Sequence, residues 1–143
     1  MKRAISVLLV LFTAAIAAMA APSAQANSTP AFPKVLINAK YVYVTSYDGG
    51  QYDFNLLPED RQAIASVQDA IQKWGHYVLV YRPEDADMIL AVQKRGSEDV
   101  LAVYDARGSR DTYLWRVMGR GGLDKNEVPL FAKLQSAVEK ASK

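Results

Sequence analysis

Two kinds of hydrophobic pattern, alternating and helical, predict the secondary-structure elements between Lys40 and Tyr81. From Lys40 to Tyr47 valines alternate with tyrosines, a period of two that predicts a strand with valines on one face and tyrosines on the other. From Pro58 to Trp74 apolar residues recur at helical spacing, and Gly75 follows as a left-handed cap. Tyr77 to Tyr81 predicts the next strand, and a strand, a helix and a strand in this order favour a parallel crossover.

The second half predicts three more strands and a second helix. The strands are Met88 to Gln93, Val100 to Asp105 and Thr112 to Met118, and the last two form a long hairpin around Arg107 to Arg110. Glycines then lead into a helix that begins near Pro129. The order is β-α-β-β-β-β-α, which predicts an α+β fold with a single mixed β-sheet covered by two helices.

The start of the chain has the three parts of a secretory signal. Lys2 and Arg3 are followed by an uncharged, largely apolar stretch, and the small residues of Ala24-Gln25-Ala26 suit a signal peptidase. Residues 1–26 are therefore interpreted as a signal cut before Asn27. An uncleaved anchor is the alternative, because the uncharged stretch approaches the roughly 20 residues that span a bilayer. We expect residues 27–39, rich in proline, to be a flexible lead-in and residues 40–143 to be a single domain.

Charge and cysteine content narrow the function classes once the signal is set aside. Removing Lys2 and Arg3 from the 17 basic residues leaves 15, which equals the 15 acidic residues. A neutral chain gives no support for a nucleic-acid partner. The sequence has no cysteine and one histidine, which excludes zinc sites of several Cys and His ligands and any lipid-modified cysteine. We expect an exported protein, periplasmic or secreted, with no cofactor and no transmembrane segment after signal removal.

Several short segments carry a resemblance to known proteins. They are Trp74-Gly75 before a short strand, Asp85 to Leu90, Tyr104-Asp105, and Leu114-Trp115-Arg116. In these four segments the chain resembles an uncharacterised family of exported bacterial proteins. The chain is also similar, more distantly, to the amino-terminal domain of the Tol system's propeller protein and to the curli secretion lipoprotein. The likeness covers about residues 40 to 140. It implies a small α/β domain with a role in envelope interaction or assembly, and it carries no catalytic residue across.

The hairpin holds the candidate binding residues. Arg107, Arg110, Arg116 and Arg120 belong to this region and suggest a cationic patch for an acidic protein surface, a lipid headgroup or a polyanionic glycan. The alternative is that these are solvated charges that discourage edge pairing. Trp115 alternates with Arg116, so it belongs either to the inner face of the sheet or to an exposed binding strip.

A second set of residues would serve an exported hydrolase or small-ligand binder. His76 is the sole histidine, Asp48 and Asp53 flank flexible glycines that suit either a calcium ligand set or a turn, and Arg120 lies among glycines that suit an anion. No nucleophile motif accompanies them.

Three functional hypotheses follow from the sequence. The leading one is a non-enzymatic module that recognises an envelope protein through its sheet edge or hairpin. The hydrolase or small-ligand binder near Asp48, His76 and Arg120 is the alternative. The third hypothesis is self-association into a homodimer through the open sheet edge.

Overall fold

The computed structural model describes residues 28–124 and 127–143. The predicted signal, residues 1–26, and its cleavage point lie outside the described residues. The described elements are β1 (Tyr41–Ser46), α1 (Pro58–Trp74), β2 (Val78–Val80), β3 (Met88–Gln93), β4 (Asp99–Asp105), β5 (Trp115–Gly119) and α2 (Pro129–Ala141), with short 3-10 turns at Lys34–Leu36 and Pro83–Asp85.

The five strands form one mixed sheet in the order β2-β1-β3-β4-β5. β1 is parallel to both β2 and β3, whereas β3, β4 and β5 are successively antiparallel. The predicted α+β fold and its element order are confirmed. The last strand begins at Trp115, three residues after the predicted Thr112, because the chain up to Leu114 forms the loop of the hairpin.

Both helices pack against the same face of the sheet. Val42 and Val44 of β1 are fully buried and share one core with Leu90 of β3 and with apolar residues of α1 and α2. The alternation of β1 explains this, because every second side chain points to the same face. The opposite face has no helix over it within the described residues, and this one-sided covering determines where a partner has access.

Local sequence signals fix the bounds of α1. Pro58 occupies the first turn, where its missing N–H costs nothing, and Glu59 and Asp60 lie where the helix dipole favours negative charge. Gly75 ends the helix with φ 72°, in the left-handed region that glycine adopts without strain. No helix in the described residues is long and apolar enough to cross a membrane.

The residues before β1 belong to the folded unit. Phe32 and Leu36 are 4% and 3% exposed and lie in the core. The indole Nε1 of Trp115 donates a hydrogen bond to the Pro30 carbonyl at 2.9 Å. The structure therefore differs from the lead-in predicted for residues 27–39, because the prolines that suggested a linker stand beside two apolar side chains that fill the core.

Candidate functional site

The face of the sheet opposite the helices carries tyrosines. On β1 and just beyond it, Tyr41, Tyr43 and Tyr47 alternate with the buried valines, and Tyr104 of β4 lies on the same side. We call this surface, completed by Arg116 of β5, the tyrosine face. Tyr41 and Tyr47 are 39% and 40% exposed. Aromatic side chains left accessible on an uncovered sheet are typical of binding surfaces.

Small side chains form the centre of the tyrosine face. A row of paired residues crosses the sheet on adjacent strands. It consists of the small residues Thr45, Ala91 and Ala102 and ends at Arg116. Ala91 is 5% exposed and Ala102 is fully buried, although no described helix covers them. Ala91 lines a cavity on this face, whereas Ala102 has no exposed surface.

This cavity is a shallow depression of about 350 Å³. The cavity is lined by tyrosines, by small and aliphatic residues, by a proline from the turn before β3 and by one arginine from the hairpin loop. These residues are Tyr43, Thr45, Ser46, Tyr47, Pro83, Ile89, Ala91, Tyr104 and Arg110. No Asp or Glu is among the described residues that line it. An aromatic depression with hydroxyl groups and an arginine can hold a ligand group by stacking, hydrogen bonding and charge.

The surroundings of Tyr47 favour its neutral form, and a cation lies nearby. Burial raises the pKa of Tyr47 above its ordinary value, and interaction with the Tyr104 hydroxyl raises it further, while the charge of Arg116 acts in the opposite direction. The Arg116 guanidinium lies 5.2 Å from the ring centre of Tyr113, a cation–π contact. The Tyr47 hydroxyl therefore keeps its proton at neutral pH and can donate a hydrogen bond.

The structure divides the predicted cationic patch. Arg110 and Arg116 border the tyrosine face, but Arg107 forms an ion pair with Asp87, with Nη2 and Oδ1 3.0 Å apart. Arg120 follows the far end of β5, away from the hairpin loop. The length of β5 separates Arg120 from the hairpin loop, so only Arg110 and Arg116 of the four arginines lie beside the tyrosine face. Binding by these arginines stays a prediction.

Trp115 belongs to the inner face. Its side chain is 2% exposed and lies in the core, which bears out the inner of the two interpretations left open by the sequence. Its indole N–H is satisfied by the Pro30 carbonyl. Trp115 therefore anchors β5 and the N-terminal segment, and it is not available on the surface.

The residues of the hydrolase hypothesis do not meet in the described structure. Because β1 and β2 are parallel, Asp48 after β1 and His76 before β2 lie at opposite ends of these strands. His76 is exposed and stacks on Trp74, with ring centres 4.7 Å apart. The Asp53 carboxylate accepts a hydrogen bond from the Asn55 amide at 2.9 Å, as expected of a turn.

An ionic network that the sequence analysis missed joins the β3–β4 turn to α1. Asp60, fully buried, accepts hydrogen bonds from the Lys94 amide at 2.8 Å and from Arg95 Nη1 at 3.0 Å. Asp99, 1% exposed, accepts from the Arg95 and Leu123 amides. Arg95 also pairs with Asp48, so this carboxylate is engaged in structure.

Acidic residues at helix starts and polar turns are both common, so no sequence pattern indicates that Asp60 reaches the β3–β4 turn. By contrast, the alternation of β1 does indicate the tyrosine face. In the described residues no group of three or more His, Asp or Glu side chains could hold a metal ion.

Comparison with known proteins adds no relative. No protein-family model, no curated protein and no solved structure matches the chain. The resemblance to exported envelope proteins stays a prediction, and functional inference rests on the geometry of the site.

Proposed function

We propose that this domain is a non-enzymatic binding module that recognises a partner protein through the tyrosine face. The observation that carries the proposal is the one-sided covering of the sheet: both helices pack on one face, and the other keeps exposed tyrosines around a depression of small residues. Interface cores are enriched in tyrosine and arginine, which combine large contact areas with hydrogen-bond donors.

The predicted export indicates where the partner of this domain would be found. If residues 1–26 act as a signal, the partner is an envelope or extracellular component, in agreement with the resemblance to envelope assembly factors. The sequence hypothesis placed recognition at the sheet edge or hairpin. The tyrosine face adjoins both, since Arg116 lies on the edge strand β5 and Arg110 lies in the hairpin loop.

Affinity capture with matched variants tests the proposal. The chain from Asn27 to Lys143 is immobilised and exposed to the native cell envelope, and retained proteins are identified by mass spectrometry. Tyr43→Ser combined with Tyr113→Ser removes two rings of the tyrosine face and its border. Phe54→Ser is the control, because Phe54 is fully exposed in the loop between β1 and α1 and does not line the cavity of the tyrosine face.

We expect the wild-type chain and Phe54→Ser to retain the same stoichiometric partner and the double variant to lose it. Circular dichroism and urea unfolding must show that the double variant is folded. Loss of the partner with Phe54→Ser, and retention with the double variant, would place the docking surface on the loop and contradict the proposal.

A further inference from the structure

Two arginines beside the cavity lack acidic partners in the described part of the chain. Arg82, Arg95 and Arg107 each form ion pairs with carboxylates. Arg110 and Arg116 form no ion pair with any described residue. Arg110 lines the cavity, and Arg116 pairs with Ala102 across the sheet. Since no carboxylate lines the cavity either, an anionic ligand group would meet no acidic side chain among the described residues that line it.

Arg116 is held in place while most of its donors stay available. Its guanidinium stacks on Tyr113, and Nη2 lies 2.7 Å from the Met118 sulfur. A thioether is a weak acceptor, and a guanidinium carries five N–H donors in a planar fork that matches a carboxylate. An ordered arginine with unused donors is suited to bind an anionic group of a ligand.

The spacing of the strands sets the length of the occupant. The depression reaches from β1 across β3 to β4, and Arg116 lies on β5, three strand spacings from β1. At about 4.8 Å per spacing this is roughly 14 Å, which corresponds to about four residues of extended peptide. A single small anion does not span that distance, whereas an extended segment with repeated carboxylates does.

We propose that the tyrosine face binds an extended acidic peptide segment of the partner, whose backbone lies in the depression lined by Ala91 and whose carboxylates pair with Arg110 and Arg116. This inference rests on the proposed function and adds the chemical class of the partner. Tyr43, Tyr47 and Tyr104 supply aromatic contact and hydroxyl donors along the same path. Single-stranded nucleic acid is the competing occupant, because bases also stack on tyrosines of an open sheet.

The test is a titration of the isotope-labelled chain, Asn27 to Lys143, followed by amide chemical shifts. The probe is a capped heptapeptide of alternating Glu and Val, and its matched control has Gln at every Glu position. A second titration uses an octathymidylate. We expect the Glu peptide to shift amides of Ala91, Ala102 and Arg116, with affinity that falls as salt rises, and the Gln peptide to bind more weakly.

Single substitutions test which arginines bind the carboxylates of the peptide. We expect Arg110→Gln and Arg116→Gln each to weaken Glu-peptide binding roughly threefold or more, the scale of a partly exposed ion pair. Arg120→Gln, an exposed arginine beyond the far end of β5, should leave affinity unchanged.

Four results would overturn the inference: equal binding of the Glu and Gln peptides, shifts confined to another surface, no shifts at all, or octathymidylate binding to the tyrosine face in place of the Glu peptide. Equal binding on the tyrosine face would leave the proposed function standing and remove only the acidic partner. The capture experiment tests that function independently of any chosen peptide.

Discussion

At the scale of single residues, buried carboxylates organise the strand ends of this domain. Asp60 and Asp99 are almost fully enclosed; Asp60 accepts a hydrogen bond from one backbone amide and Asp99 from two, and each also accepts from a basic side chain. A buried charge is tolerated only when it is paired and hydrogen-bonded, so each partner depends on the others. These residues therefore serve stability, whereas Arg110 and Arg116 remain available for binding.

Replacing Asp60 tests this division of roles. Asp60→Asn removes one of the two carboxylates that pair with Arg95, and an amide cannot replace both accepting oxygens, so we expect a loss of about 2 kcal/mol in the free energy of unfolding. Urea unfolding followed by tryptophan fluorescence measures it. Asp69→Asn, which breaks the exposed Asp69–Lys73 pair, is the control and should cost less than about 0.5 kcal/mol. Equal losses would show that the network is not stabilising.

Asp87 gives the domain an acid-sensitive contribution to stability. Hydrogen bonds from the Lys40 and Tyr41 amides, each 3.0 Å long, hold the pKa of Asp87 below its ordinary value, and nearby Arg107 lowers it further. A lowered pKa in the folded state stabilises the protein above the unfolded-state pKa of about 4. That contribution disappears as the pH falls through the lowered value.

We therefore expect Asp87→Asn to be less stable than the wild type at pH 7 and the difference to shrink below about pH 4. Urea unfolding at a series of pH values measures this. Glu139→Gln, in an exposed position of α2 with no ion pair among the described residues, is the control. A difference between Asp87→Asn and the wild type that stays constant into acid would contradict this linkage.

At the scale of secondary-structure elements, local signals determine where α1 ends. Gly75 has φ 72°, and a Cβ added there would meet nothing within 4 Å. We expect Gly75→Ala to destabilise the protein by about 1 kcal/mol, through backbone strain alone. Gly96→Ala is the matched control, since Gly96 also has open space but no positive φ. If thermal or urea unfolding finds the two variants equally stable, a side chain at position 75 does not strain the backbone and the prediction is wrong.

The same elements show what the sequence can and cannot predict. Period-two alternation in β1 and helical spacing in α1 are local, and they specify both the elements and the face of each that is buried. The Asp60 network is different, because its hydrogen bond to the Lys94 amide joins residues 34 positions apart. The same holds for the separation of Arg120 from Arg110, which depends on how β5 is placed. Patterns within one element carry no information about such contacts.

The tyrosine face lies between these two cases. The tyrosines of β1 were predicted to share one side of the strand, and the structure confirms this alternation. Their convergence with Tyr104 and Arg110 depends on the strand order β1-β3-β4, which brings distant segments together. The sequence thus indicates part of the candidate site, and the sheet topology completes it.

At the scale of the whole molecule, one core holds the N-terminal segment and the sheet together. Phe32, 4% exposed, lies in this core, while its neighbour Val35 is 68% exposed. We expect Phe32→Ala to cost about 3 kcal/mol of unfolding free energy, through lost burial and a cavity. Val35→Ala, the control, should cost less than about 0.5 kcal/mol. If urea unfolding finds Phe32→Ala as mild as Val35→Ala, the segment does not contribute to the core.

The placement of both helices on one side of the sheet leads to the central claim, that the tyrosine face is the docking surface. Photo-cross-linking in the native envelope tests it most directly. A photoreactive phenylalanine replaces Tyr113, an exposed residue beside Arg116, or Ala132, an exposed residue on α2. We predict a discrete cross-linked partner from position 113 and none from position 132. A partner captured only from position 132 would contradict it and place recognition on the helical side.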